Sequence, residues 1–265
     1  YSIKIKSEEF YYNFFNNTLS TSFLILDHHN DSMIFFPKIS VKFNNSVFLN
    51  NNLMIHQINM NESEFFIKKY NTEDLTNVEI FLNKINDQKS SSFSSIEIEQ
   101  INLKDCNLLL DIDNLNKSYK SVNITFDKFS FFLDDIIEIN QISLEHKKSN
   151  FSSNIYYDFS NQSWYCNFYN SSFDINEIEP NLYGTLDFTS KIEGKSNQIS
   201  LKDFNVKYND SSFEGNFQFD KNKNFITGDI NHFFFSENDL KNIIYTYSGN
   251  SSNVFTDLGD LQYNG

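Results

Sequence analysis

The sequence predicts an all-β chain built mainly of antiparallel strands, with two short helices set into it. Three observations point there. Apolar and polar residues alternate with period two along most of the chain, which gives each strand one apolar face. The 265 residues include 30 Phe and 14 Tyr but no Ala; aromatic residues favour strands, and Ala is the best helix former. The breaks between alternating stretches are rich in Asn, which tolerates the left-handed backbone of tight hairpins and stands in here for scarce glycine.

The elements follow in chain order. Phe23-Leu24-Ile25-Leu26 and Met33-Ile34-Phe35-Phe36 read as strands joined by a turn at Asp27-His28-His29-Asn30-Asp31. Thr76 to Ile85 places Val78, Phe81, Leu82 and Ile85 at helical spacing, with Thr76 or Asn77 as its cap, so a helix is expected over 76–85. Lys89-Ser90-Ser91-Ser92 reads as a loop. Clear period-two alternation then marks Ile96 to Glu99, Val122 to Phe126, Ile155 to Phe159, Trp164 to Phe168 and Phe213 to Phe219. One-faced alternation of this kind belongs to antiparallel strands half-covered by core. A second helix is expected over 236–245, where Leu240, Ile243 and Ile244 follow a Ser236 to Asp239 capping arrangement. Asn-rich breaks fall at Asn44-Asn45, Asn50-Asn51-Asn52, Asn209-Asp210-Ser211 and Lys221-Asn222-Lys223-Asn224.

One short word recurs: Gln57-Ile58-Asn59-Met60, Gln100-Ile101-Asn102-Leu103, Gln141-Ile142-Ser143-Leu144 and Gln198-Ile199-Ser200-Leu201. Such self-similarity points to a stack of like β units, a sheet that grows by adding strands. No second composition regime interrupts it, so residues 1–265 read as a single continuous segment. The first residue is Tyr1 and the last strand-like stretch stops at Gly265, which reads as an excerpt of a longer protein.

Charge and composition narrow the function. All 21 basic residues are Lys, against 35 acids, for a net charge of -14. Such a chain is a poor partner for nucleic acid, whose affinity comes from cationic contacts, and anionic headgroups repel it. The lack of Ala and Arg follows mostly from AT-rich codon usage. No apolar run approaches the ~20 residues of a membrane-spanning helix.

Candidate chemistry is sparse. Asp27-His28-His29-Asn30-Asp31 is the one clustered ligand set, but neighbouring side chains on a strand point to opposite faces, so a hairpin turn is the favoured reading. Asp111 and Asp113 share a strand face and read as solvated. No phosphate loop, nucleophile elbow or Ser/His/Asp pattern is present, and no metal, cofactor or catalytic role is expected. Cys106 and Cys166 follow no metal spacing and read as buried thiols, with a disulfide left open. What remains is a long one-faced apolar sheet, the core of a closed fold or an open groove.

Asn17-Thr18-Leu19, Ile25 to Ile34 and Pro37-Lys38-Ile39 resemble the opening region of TamB-like proteins of the Bacteroidota. The similarity continues through Ile55 to Met60, Phe65-Phe66-Ile67-Lys68-Lys69-Tyr70, the helix over 77–85 and the strands over 101–110. It returns at Ser236-Glu237-Asn238-Asp239-Leu240 and at Leu258 to Gly265. The resemblance implies an AsmA/TamB-like segment: an elongated, twisted antiparallel β-groove (a β-taco) in the periplasm. It implies a tether to the inner membrane by an N-terminal helix outside this segment. It also implies phospholipid as cargo and a BamA/TamA-type outer-membrane barrel as partner, met through parts of the chain not present here. The function implied is shielding of acyl chains during inner-to-outer membrane lipid transport and outer-membrane biogenesis. Lining residues would be those in phase on the best-alternating strands: Leu108, Leu110, Ile112, Val122, Ile124, Phe126, Ile155, Tyr157, Phe159, Trp164, Phe168, Phe217 and Phe219. The alternatives are a scaffold that assembles outer-membrane proteins by β-augmentation and a closed β stalk or adhesin domain.

Overall fold

A computed structural model describes residues 4–43, 52–87, 95–113, 115–132, 136–177, 180–195, 198–220, 222–223, 225–248 and 261–264. Among them the protein is mainly β, with sixteen largely antiparallel strands and two short helices. The expected breaks at 44–45 and 50–51, the loop at 89–92, and residues 221 and 224 lie outside the described residues. The chain divides into two compact units, Tyr1–Lys147 and Lys148–Gly265. No shift in composition marks that division, and one continuous segment was the reading from sequence.

The first unit holds β1 (Lys4–Ser7), β2 (Tyr11–Asn13), β3 (Thr18–Leu26), β4 (Ser32–Phe43), β5 (Asn52–Asn61), β6 (Glu64–Lys68), α1 (Asn77–Asp87), β7 (Ser95–Ile112), β8 (Leu115–Phe132) and β9 (Ile136–His146). Its strand order is β1-β3-β4-β5-β7-β8-β9, with β2 beside β3 and β6 bridging β4 and β7. The sheet is largely antiparallel as expected, with two exceptions: β5 and β6 both run parallel to β7. The cause is α1, because a crossover between β6 and β7 brings the chain back in the same direction.

The repeated word becomes register. Gln57 pairs with Gln100 across β5 and β7, and Gln57 Nε2 donates to Gln100 Oε1 at 2.9 Å. Two residues on, Asn102 Nδ2 donates to Asn59 Oδ1 at 3.0 Å. Gln100 also faces Asp127 of β8, which in turn faces Gln141 of β9. Three of the four words thus lie in one row across neighbouring strands.

The second unit holds β10 (Ser149–Asp158), β11 (Ser163–Asp174), β12 (Thr185–Lys195), β13 (Gln198–Tyr208), β14 (Ser211–Asp220), β15 (Phe225–Phe235), α2 (Glu237–Ser248) and β16 (Leu261–Asn264). These strands follow one another in sequence order, each antiparallel to the last. Asn209 takes φ 49° in the tight turn between β13 and β14, the role expected of Asn in a Gly-poor chain.

Both helices begin where local signals place them. Thr76 and Glu79 form a reciprocal capping box: Thr76 N donates to Glu79 Oε2 at 2.7 Å and Glu79 N to Thr76 Oγ1 at 3.3 Å. The cap is therefore Thr76. Asn77 is the first helical residue, and its buried amide donates to the Phe66 carbonyl (2.9 Å) and accepts from Lys68 N (3.0 Å), tying α1 to β6. In α2, Asp239 N donates to Ser236 Oγ at 3.2 Å. The Asp239 carboxylate accepts from Ser211 Oγ at 2.7 Å and Asp210 N at 3.1 Å, pinning the β13–β14 turn to the helix start.

Candidate functional site

In the second unit the sheet is amphipathic. Pairing places Ile155 and Tyr157 of β10 opposite Cys166 and Trp164 of β11. The same row continues to Ile192 and Gly194 of β12, Leu201 and Ile199 of β13, Phe217 and Phe219 of β14, and Gly228 and Ile226 of β15. The opposite face carries Asn154, Lys191, Glu193, Lys202, Glu214 and Gln218. Lys191 and Lys202 approach Glu193 at 2.6 and 2.5 Å, and these two contacts hold its carboxyl below the usual range.

Asparagine and aspartate bulges bring the apolar residues beyond them onto that same apolar face. Asn170 of β11 and Asp203 of β13 take φ 48° and 49°, each at a shift in register. The extra residue turns Phe173 and, on β13, Phe204 and Val206 onto the side already occupied by Phe168 and Leu201. Asp105 of β7 does the same in the first unit with φ 52°. The two aspartates share a device: Asp105 N donates to Asn123 Oδ1 at 3.0 Å, and Asp203 N to Asn216 Oδ1 at 2.9 Å. Both follow a repeated word, in Gln100 to Asp105 and Gln198 to Asp203.

Rings then tile the surface. Phe173 and Phe188 stack at 5.5 Å between centroids, Phe213 and Phe217 at 5.9 Å, and Phe168 meets Phe188 at 5.4 Å. Glycines make room beneath them: a Cβ on Gly228 would meet Phe217 Cδ1 at 2.5 Å.

In the first unit the apolar face centres on Met60, Leu103 and Cys106, with Phe36, Ile39, Ile58, Phe65, Ile101, Ile124 and Phe126 packed around them. Val122 faces Cys106, Ile124 faces Leu103, and Phe126 faces Ile101. Leu108 and Leu110 lie beside Phe65 and Ile67 of β6, and Ile112 continues their row.

All six first-unit residues singled out from sequence, Leu108, Leu110, Ile112, Val122, Ile124 and Phe126, therefore lie on one face. So do Ile155, Tyr157, Trp164, Phe168, Phe217 and Phe219 of the second unit, and Phe159 joins them by ring contact with Tyr157 at 4.4 Å. Val122 is buried and the other twelve are half-buried. Leu186, Phe188, Phe204, Phe213 and Phe233 belong to the same second-unit face and were missed. Leu186-Asp187-Phe188 and the alternation from Phe213 to Phe219 carried the signal for three of them; past the bulge at Asp203 the period-two phase is lost.

Two other readings change. Asp111 and Asp113 do not share a strand face, because β7 ends at Ile112 and Asp113 turns away with φ 50° to pair with Lys69 at 3.1 Å. His28 and His29 do sit in the β3–β4 turn, yet that turn brings both imidazoles to Glu73, forty-four or more residues along the chain. Cys106 and Cys166 are free thiols. Burial pushes both pKa values up, which keeps them protonated and unreactive.

No family model matches the chain, and no curated protein or solved structure is similar to it, so the resemblance to TamB-like proteins rests on the residues quoted for it.

Proposed function

We propose that the chain is a segment of a lipid-shielding β-groove, in which the apolar sheet faces cover the acyl chains of a phospholipid in transit across the periplasm. One observation carries this reading: across β10–β15 one face is mostly aromatic and aliphatic, with serines and glycines between, and most of its large side chains are half-buried or exposed. An exposed apolar surface of that extent marks an interaction site. Moving a two-chain lipid through water exposes ~30 methylenes at ~0.8 kcal/mol each, on the order of 20 kcal/mol. A ring-tiled face removes most of that cost, while the headgroup stays in solvent. The task needs no nucleophile, base or redox group. Among the described residues no helix is long and apolar enough to cross a membrane; the proposal places the tether, and the contacts with the barrel partner, in other parts of the protein.

Delipidated protein incubated with a two-chain phospholipid and analysed by native mass spectrometry is the test. Bound lipid is expected, with photocrosslinks to acyl chains from positions 126 and 217. Protein without bound lipid or acyl crosslinks would overturn the reading. Crosslinks instead from the edge strands β1 and β16 to an unfolded outer-membrane protein would favour β-augmentation.

A further inference from the structure

We infer that His28, His29 and Glu73 form a site for one divalent transition-metal ion of the zinc class. His28 Nε2 lies 2.8 and 2.9 Å from the two oxygens of Glu73, and His29 Nε2 lies 3.0 Å from Oε1. The three ligand atoms lie within 4.8 Å of one another. Consecutive histidines on a strand diverge, so this convergence is built by the turn. Asp27 Oδ1 accepts from His29 N at 2.9 Å and Asp31 N at 3.0 Å, while Asn30 takes φ 65°. The two imidazole rings end 4.3 Å apart between centroids.

The opposing ligand is held as firmly. Glu73 N donates to the Tyr70 carbonyl at 2.9 Å, closing a second turn. The Tyr70 hydroxyl lies 2.7 Å from Asp27 Oδ2 and 3.0 Å from Asp31 Oδ2, and its ring packs on His29 at 4.0 Å. The two turns are therefore locked together before any ion arrives, which is what a preorganised site requires.

The donor set suits zinc, nickel or copper rather than calcium or magnesium, which favour all-oxygen shells. Bonds of ~2.0–2.1 Å place tetrahedral ligands ~3.3 Å apart, so the 2.8–3.0 Å separations between the imidazoles and Glu73 need to open by only a few tenths of an ångström, with the two imidazole nitrogens within 4.8 Å of each other. The His28 side chain is 2% exposed, Glu73 19% and His29 39%, so the ion would be anchored on one side and open to water on the other. The field is favourable: Asp27 and Asp31 stand behind Tyr70, and the nearby Lys68 ammonium is paired with Asp31 at 3.5 Å. A bound ion would staple the β3–β4 turn to the segment leading into α1.

Chelator-stripped 265-residue protein titrated with zinc by calorimetry, and with cobalt by visible absorption, tests the site. One ion per chain is expected, with the intense cobalt bands of a four- or five-coordinate centre and a rise in melting temperature on adding zinc. His29→Ala, at the exposed edge, and Glu73→Gln should each weaken binding at least about tenfold and abolish the thermal shift, with unchanged circular dichroism. Absence of stoichiometric binding would overturn the inference. So would equal binding by the His29→Ala/Glu73→Gln double variant, which would assign the ion to other histidines or surface acids.

Discussion

Trp164 and Gly194 face each other across β11 and β12, and the indole fills the space where a side chain at 194 would stand. A Cβ built there would meet Trp164 Cε2 at 2.2 Å. An aromatic ring resting on a cross-strand glycine restores packing that the glycine itself lacks. Gly194→Ala should therefore destabilise the protein by about 1–3 kcal/mol through overpacking, despite the ~0.5–1 kcal/mol that Ala gains over Gly within a strand. Trp164 is the single tryptophan, so urea unfolding followed by its fluorescence reads the loss directly, and a red-shifted native spectrum should accompany it.

The left-handed bulge at Asp203 makes a second prediction. Asp203→Gly should be neutral or slightly stabilising, because glycine takes positive φ without a Cβ penalty. Asp203→Val should cost about 1–2 kcal/mol. Asn216→Ala should lose about 1 kcal/mol, since it removes the acceptor of Asp203 N. The order of denaturation midpoints, Gly at least equal to Asp and both above Val, checks the argument.

Asp239 should contribute to acid sensitivity. Burial pushes its pKa up, but donors from Ser211, Asn209, Ser236 and the Asp210 backbone outweigh that and hold it below its ordinary 3.8. A carboxyl depressed in the folded state contributes stability in full above its unfolded pKa and loses it as pH falls through the folded value. Stability should be flat in this contribution from neutral pH to about 4 and fall below that. Asp239→Asn should cost about 1 kcal/mol at pH 7 as a weakened cap and show a shallower acid limb in urea titrations across pH.

Tyr70→Phe removes the hydroxyl shared by Asp27 and Asp31. Burial raises the pKa of this phenol, which keeps it a proton donor throughout the stable pH range. Asp27 is 1% exposed, so losing that donor should cost about 1–3 kcal/mol, seen as a lower melting temperature. The variant should also weaken zinc binding while leaving its stoichiometry intact.

Local signals were legible in advance. Each cap joins residues three apart in the chain, Thr76 with Glu79 and Ser236 with Asp239, and both helices begin within a residue of the expected start. The turn between Leu26 and Ser32 was equally plain. The apolar phase of Val122-Asn123-Ile124-Thr125-Phe126 was readable because no bulge interrupts it.

By itself, then, the sequence determined the strand-rich class, the helix starts and the one-faced distribution of Phe, Ile and Leu, because alternation and caps act between neighbours in the chain. Tertiary structure decided the rest. The parallel pairing of β5 and β6 with β7 depends on a crossover spanning α1, and the 43-residue interval between two repeated words acquired meaning only as the register of that pair. That the apolar residues before and after Asp105 and Asp203 share one face depends on a single left-handed residue in each strand, which alternation cannot foresee. Cross-strand packing alone set Trp164 on Gly194. The meeting of His28 and His29 with Glu73 required a turn that cancels the strand's alternation and a tyrosine that ties two distant turns together. Such contacts join residues tens of positions apart, and only the folded chain brings them within reach.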